Sequence, residues 1–294
     1  MTTHTLEALN EAPSSEFVAA LGGVFEHAPW VAAMIASRRP FGSLADLFAA
    51  MRAAVAEVDD ARRLDLLRGH PELAGAAARS GNMTADSVSE QSGAGLTALS
   101  PERAAAFDQL NDAYRTRFGF PFIVCVRRHG LDSLLTEFWR RAAASPDEER
   151  ETALAEVFRI AALRLDAAVE APDRLPVRGR LSTHVLDTVT GRPADGVPVT
   201  LVEIGEAGER VVVSTSTNPD GRTDAPLIGD RPVPRAVYEL RFDLGAYHRG
   251  RGYERGEPAF LTIVPIRFGV ADPEAHYHVP LLASPWSYST YRGS

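Results

Sequence analysis

The feature that most constrains the fold is a change in composition near residue 172. Upstream the chain is rich in Ala, Leu and Glu, and carries 24 acids against 17 arginines. Downstream it holds 12 of the 20 prolines in well under half the length, with many Val, Thr and Gly. Helix formers and strand formers separated this cleanly do not belong to one layered domain. Between the two regions lies Glu170-Ala171-Pro172-Asp173-Arg174-Leu175-Pro176. Its prolines end helices and stiffen an extended segment. The expectation is a multidomain α and β chain: an all-α helical bundle over 1–172, a linker over 173–178 and a β-sandwich over 179–294. A length of 294 residues fits two domains.

Local patterns agree with this division. Residues 43–57 place Leu44, Leu47, Phe48, Met51 and Val55 at 3-and-4 spacing behind a candidate N-cap, Ser43. Ser100-Pro101 and Ser145-Pro146 each combine a cap with proline at the first helical position, and predict helices over 100–117 and 146–170. Beyond residue 178, short apolar runs alternate with turn signals. The runs Arg180–Asp187, Val197–Ile204, Val211–Thr217, Val237–Leu244, Ala259–Val270 and His276–Leu282 are expected strands.

Composition excludes several chemistries. All 31 basic residues are arginine, so there is no lysine for a Schiff base, a P-loop or a kinase strand. A single cysteine, Cys125, excludes an internal disulfide, a multi-cysteine zinc site and an iron–sulfur cluster, and suggests a reducing compartment. A net charge of −8 argues against nonspecific nucleic-acid binding. No apolar run reaches the roughly 18 residues of a membrane span. The opening MTTHTLEALNEAP lacks a basic stretch followed by an apolar core, so no secretory signal is expected.

In the first region three segments stand out: His70-Pro71-Glu72-Leu73-Ala74-Gly75, Ser87-Val88-Ser89-Glu90-Gln91, and Phe118-Gly119-Phe120-Pro121-Phe122-Ile123. A His and a Glu in separate segments form an acid/base pair or a structural hydrogen bond, and spacing alone leaves both open. Together, and in this order, the segments resemble the motifs HP-[ED]-LAG, S-x-x-EQ and FGF-x-FI of the 2-oxo-4-hydroxy-4-carboxy-5-ureidoimidazoline (OHCU) decarboxylases, over roughly residues 10–170. One departure is Ala142-Ala143-Ala144 after Arg140-Arg141, where the family often has Asn. The resemblance implies a helical, cofactor-free decarboxylase with His70, Glu90 and Arg164 at its site. Arg164 would hold a substrate anion. His70 would relay a proton, and Glu90 would orient His70 or hold the ureido group. Pro71, Ser87, Phe120 and Ile123 would shape the pocket. Arg127 is a second candidate anion holder.

In the second region Ser182 and His184 share a strand face, and His276 and His278 form an i, i+2 pair. Three histidines on two strands suit either a zinc site with an open water position or a hydrogen-bonded cluster. The segments Leu181-Ser182-Thr183-His184-Val185-Leu186-Asp187, Thr217-Asn218-Pro219-Asp220-Gly221-Arg222 and His276-Tyr277-His278-Val279-Pro280-Leu281-Leu282, with Tyr291-Arg292-Gly293-Ser294, are similar to the transthyretin-like 5-hydroxyisourate hydrolases. That family is metal-independent, so the resemblance favours no zinc and no cofactor. It implicates His184, Arg222, His278 and Tyr291 in catalysis, and Arg292 and Ser294 in binding, with His276 less certain. Transthyretin itself is the binding-module alternative, a hormone carrier that lacks these histidines and this tail. A zinc-dependent cyclic amidohydrolase is the other.

The two resemblances join. The product of the second activity, OHCU, is the substrate of the first. The expectation is a bifunctional urate-degradation enzyme that opens 5-hydroxyisourate and decarboxylates OHCU to (S)-allantoin. Its partners would be these small molecules, with no nucleic acid and no membrane. A homotetramer through the C-terminal domain, in the cytoplasm, completes the expectation.

Overall fold

A computed structural model of the chain describes residues 3–75, 83–93, 96, 99–253 and 258–293. Its contacts divide it into two compact units, Met1–Val126 with Leu134–Val177, and Arg127–Ser133 with Arg178–Ser294.

The first unit is helical. Its helices are α1 (Leu6–Glu11), α2 (Ser14–Leu21), α3 (Trp30–Ile35), α4 (Leu44–Glu57), α5 (Asp60–Arg68), α6 (Ala85–Gly93) and α7 (Pro101–Phe118), then α8 (Leu131–Ala142) and α9 (Pro146–Ala168). The expected caps form. Ser43 accepts from the Asp46 N–H at 3.0 Å. Ser100 caps α7 with Pro101 behind it. Ser145 and Glu148 make a reciprocal capping box at the start of α9. The helix expected to run to residue 170 stops at Ala168. Val169–Glu170 instead pair in parallel with His4–Thr5 as two short strands, β2 and β1.

The linker residues are not loose. Asp173 accepts the N–H groups of Leu44 and Ala45 at 3.0 and 3.1 Å, placing a carboxylate at the N-terminus of α4. Arg174 pairs with Asp166 at 2.8 Å. Phe17, Ile35, Leu44, Met51, Leu67, Phe107 and Leu165 are fully buried in the core of this unit. Tyr114 anchors a second cluster with Phe118, Phe120, Phe122 and Phe138, in which Phe122 stacks on Phe138 at 3.9 Å.

The second unit is a β-sandwich. Its strands are β3 (Gly179–Ser182), β4 (Val185–Asp187), β5 (Arg192–Pro193), β6 (Pro198–Gly205), β7 (Gly208–Ser216), β8 (Ile228–Arg231) and β9 (Ala236–Asp243). After them come β10 (Ile263–Val270), β11 (His276–His278), β12 (Leu281–Ser284) and β13 (Ser287–Thr290). One sheet runs β10-β9-β6-β7 and is antiparallel throughout. The others run β11-β3-β8 and β13-β12-β4-β5. Leu181, Val185, Val199, Leu201, Leu240, Phe242, Val264 and Leu281 share one buried core.

Two expected strands are each broken in two. Arg180–Asp187 becomes β3 and β4, and His276–Leu282 becomes β11 and β12. Pro280 has no N–H to give the ladder, so the pairing must step there. Across the step the Val279 N–H donates to Ser182 O and the Leu281 N–H donates to His184 O. The Thr183 hydroxyl closes the gap on Val279 O at 2.7 Å. A helix the sequence pattern did not show, α10 (Leu244–Arg251), is started by the Asp243 side chain, which accepts from Ala246 N–H. No described helix is long and apolar enough to cross a membrane.

Candidate active sites

The first site lies inside the helical unit. Helix α5 is capped by Gly69, and the next residue, His70, turns back so that its Nδ1 meets Leu66 O at 2.9 Å. A carbonyl can only accept, so Nδ1 carries the proton and Nε2 is left as a lone pair. Among the described residues nothing bonds that buried Nε2. It belongs to a small pocket of about 40 Å³ lined by His70, Pro71, Ser87, Glu90, Ile123 and Arg164, with Phe122 beside them. Burial pushes the His70 pKa down to about 4, against the opposing pull of the Leu66 carbonyl and Glu26. The imidazole is therefore neutral at pH 7.

The S-x-x-EQ segment divides its work along one helix. Ser87 and Glu90, three residues apart, share a face of α6. Arg164 Nε donates to Glu90 Oε1 at 3.1 Å. Its Nη2 donates to Glu90 Oε2 at 3.0 Å and to Ser87 Oγ at 3.2 Å. Gln91 props the preceding loop, accepting from Ala74 N–H at 2.9 Å and donating to Glu72 O at 3.2 Å.

The structure also supplies a residue that sequence reading missed. Glu26, only 3% exposed, accepts from Arg164 Nη1 at 2.5 Å and from the Thr84 hydroxyl at 2.7 Å. Burial alone would raise its pKa, but Thr84 and Arg164 outweigh that and hold it below the usual carboxylate range.

The structure places three of the expected residues as follows. Arg164, expected to hold a substrate anion, lines the pocket with its guanidinium gripped by two protein carboxylates, Glu26 and Glu90. Glu90 was expected to orient His70 or hold the ureido group; the Leu66 carbonyl orients His70, and Glu90 lines the pocket beside Arg164. Phe120 was expected at the pocket; its ring packs on Tyr114 and Phe118 instead, and Phe122 takes the lining position. The lining segment is fixed from behind. Arg141 Nη1 donates to Ile123 O at 2.7 Å, and Glu156 accepts from Cys125 N–H at 2.8 Å. Arg141 is itself fully buried and paired with Glu149. Arg127 is exposed and does not line the pocket.

The second site lies at the strand step of the sandwich. His184 Nδ1 and His278 Nε2 are 2.8 Å apart, with the rings stacked at 5.0 Å and 17°. Ser182 Oγ lies 3.0 Å from His278 Nδ1 and 3.0 Å from His276 Nε2. The shared face expected for Ser182 and His184 is thus present, and both converge on His278. Burial, then the charge of Arg222, lowers the His184 pKa. Burial, then His184 and Arg222, lowers that of His278.

Arg222 reaches His184 because of a tight turn. Gly221 adopts φ 70°, and a Cβ there would lie 2.4 Å from Val185 O, so only glycine fits. Val185 N–H donates to Gly221 O at 2.8 Å, which bridges the backbones of His184 and Arg222. Gly293 is similarly required. Its N–H donates to His278 O at 2.8 Å, and a Cβ would meet His278 Cδ2 at 2.8 Å.

The remaining expected residues lie as follows. Arg292 stacks its guanidinium on the Tyr277 ring at 4.7 Å, and Tyr291 is exposed. Ser294 lies outside the described residues. His184 bonds His278, and His278 and His276 each bond Ser182, so the three rings form a line rather than converging on a point. Among the described residues no group of three or more His, Cys, Asp or Glu is disposed to hold a metal ion.

With these geometries in place, comparison with known proteins is direct. Residues 10–166 match the OHCU decarboxylase family and residues 181–293 match the HIUase/transthyretin family. The chain therefore belongs to both families, one in each unit. It is similar to the 2-oxo-4-hydroxy-4-carboxy-5-ureidoimidazoline decarboxylase of Halalkalicoccus jeotgali, at 42% identity over 166 residues, covering 56% of this chain and 92% of that one. It is also similar to the 5-hydroxyisourate hydrolase of Ralstonia nicotianae, at 52% identity over 116 residues, covering 40% of this chain and 99% of that one. Along its whole length it resembles the crystal structure of (S)-allantoin synthase, at 34% identity and a TM-score of 0.52, covering 99% of this chain and 100% of that one.

Proposed function

We propose that the chain is a bifunctional enzyme of urate degradation. The sandwich unit hydrolyses 5-hydroxyisourate to OHCU, and the helical unit decarboxylates OHCU to (S)-allantoin. The observation that carries this reading is the bare Nε2 of His70 in a buried pocket, in the same chain as the coupled His184–His278 pair.

In the sandwich unit, His184 or His278 removes a proton from water as it adds to the ring amide carbonyl. Arg222 faces the oxyanion that forms. The C–N bond then breaks, and the nitrogen leaves as a ureido NH₂ after taking a proton. Neither step calls on lysine, which the chain lacks.

In the helical unit, His70 Nε2 accepts a hydrogen bond from the substrate hydroxyl. The bond from the ring carbon to the carboxylate breaks and CO2 leaves, its electrons pass into the adjacent C=N, and the nitrogen takes a proton from solvent. His70 takes the hydroxyl proton as the carbonyl forms and returns a proton to the neighbouring carbon. Delivery from one fixed nitrogen on one face sets the handedness of allantoin. Arg164, Glu26 and Glu90 hold the pocket wall rigid rather than gripping substrate. That rigidity keeps Nε2 aligned.

A homotetramer through the sandwich unit and a cytoplasmic location belong to the same proposal. The exposed edge strand β13, flanked by exposed Trp286 and Tyr291, supports self-association. Sedimentation measurements test it. The test of function adds freshly generated 5-hydroxyisourate and follows allantoin by circular dichroism. The wild type yields one hand. His184→Ala stops the first step, and His70→Ala lets OHCU accumulate. Racemic product from the wild type overturns the reading.

A further inference from the structure

Four groups of the sandwich unit form an unbroken hydrogen-bonded line: His184, His278, Ser182 and His276. The separations are 2.8, 3.0 and 3.0 Å. Ser182 is buried, the His184–His278 pair is half-buried, and His276 is exposed. The line therefore begins at the paired histidines and ends in solvent.

Each link has two proton arrangements of equal formal charge. In one, His184 Nδ1–H donates to His278 Nε2, His278 Nδ1–H donates to Ser182 Oγ, and the Ser182 hydroxyl donates to His276 Nε2. In the other, every donor and acceptor is exchanged. A hydroxyl between two imidazoles can accept from one and donate to the other. As His184 takes the water proton on Nε2 and gives up that on Nδ1, passing from one arrangement to the other delivers one proton to His276 Nε2, and His276 sheds one from Nδ1 to solvent, so no interior group is left charged.

The reaction proposed for this unit needs such an exit. Water adds to a ring amide carbon, the C–N bond breaks, and the nitrogen keeps one water proton as a ureido NH₂. That nitrogen is not basic, and the new carboxylic acid ionises at neutral pH. One net proton is released per turnover. The groups facing His278 are His184, His276, Arg222 and Arg180, and Arg222 also faces His184. Both arginines disfavour an imidazolium at the pair.

We infer that Ser182 and His276 act as a proton wire that carries the proton released by ring opening from the His184–His278 pair to solvent. The inference rests on the hydrolase reading of this unit. Ser182 and His276 are positioning and relay residues; they act through His278.

The decisive variant is His276→Gln. The position is exposed, and the glutamine amide still bonds the Ser182 hydroxyl but cannot pass a proton on. In dilute buffer its hydrolase kcat falls about tenfold with KM unchanged, less than the roughly 10²–10⁴-fold supplied by a general base itself. Concentrated imidazole buffer restores the rate, because a mobile base replaces the lost exit. The wild type is insensitive to buffer concentration. Ser182→Ala behaves as His276→Gln does, and Ser182→Thr, which retains the hydroxyl, keeps the wild-type rate. A His276→Gln enzyme with wild-type kcat in dilute buffer overturns the wire. So does a loss that buffer does not restore, since that is the mark of a structural role. A wild type that opens no ring overturns the hydrolase reading itself, and is seen before any variant is compared.

Discussion

The bare nitrogen of His70 has a consequence that pH exposes. A free histidine titrates at 6.5, and burial holds His70 at about 4. Between those values the unfolded chain binds a proton that the folded chain refuses. Stability therefore rises with pH across that window and is lost as pH falls through it. At about 1.4 kcal/mol per pH unit, the gap is worth roughly 3 kcal/mol. Other carboxylates titrate in the same range, so the quantity to measure is a difference. His70→Asn keeps a donor for the Leu66 carbonyl but has nothing to titrate. Denaturant unfolding of the two proteins, followed at Trp30 and Trp139 of the helical unit, is compared from pH 8 to pH 4. Two units call for two transitions, each fitted by itself. The wild type loses about 3 kcal/mol relative to the variant, most of it between pH 6.5 and 4. Decarboxylation by the wild type keeps its rate well below pH 6.5, because the base stays neutral. An acid limb centred near pH 6.5, with a stability difference that does not change with pH, refutes the argument that burial sets the state of His70.

Three further substitutions test the two sites. Arg164→Met leaves Glu26 and Glu90 buried without their cation and costs the helical unit about 3–5 kcal/mol at pH 7. Part of that cost returns on acidification as one carboxylate takes a proton, and urea melts at pH 7 and 5 measure both. Gly293→Ala forces a methyl to within 2.8 Å of His278 Cδ2. Hydrolase kcat falls by about tenfold or more, while decarboxylation of separately supplied OHCU is unchanged. Gly221→Ala combines a positive φ with a 2.8-Å-or-closer clash, here 2.4 Å to Val185 O. It destabilises the sandwich by about 1–3 kcal/mol and separates Arg222 from His184, which thermal unfolding and hydrolase assays detect together.

What could be read from the sequence was what is local. The caps at Ser43, Ser100 and Ser145 act within three residues of themselves, and each appears where the pattern places it. The proline-marked boundary, the strand periodicity and the family motifs are also short-range signals. The places where the pattern failed have tertiary causes. Unbroken strand-like segments hid the steps at Thr183–His184 and Val279–Pro280, because the break is set by which strand each half pairs with. Asp243 started an unexpected helix where an apolar run was read as ending in a strand.

The candidate sites divide in the same way. His70, Glu90, His184 and His278 sit in motifs, so residue type and spacing marked them. Glu26 stands alone in Val24-Phe25-Glu26-His27, with no pattern around it, and meets Arg164 across 138 residues of chain. Nothing local distinguishes it from a solvated glutamate. That missing partner is also why the pairing of Arg164 was not foreseen. An arginine without visible partners reads as a hand for an anionic substrate. An arginine already held by two buried carboxylates has most of its donors engaged, and breaking either pair leaves an uncompensated charge in the interior. The same reasoning applies to the histidines. Sequence shows that His70, His184 and His278 are present, but their use as bases at pH 7 depends on neutrality. Burial together with nearby arginine, Arg164 in one unit and Arg222 in the other, lowers the pKa of all three. The arginines of this lysine-free chain therefore do most of their work on the protein's own groups. They hold carboxylates in place and keep imidazoles unprotonated, which makes each site depend on the fold that surrounds it.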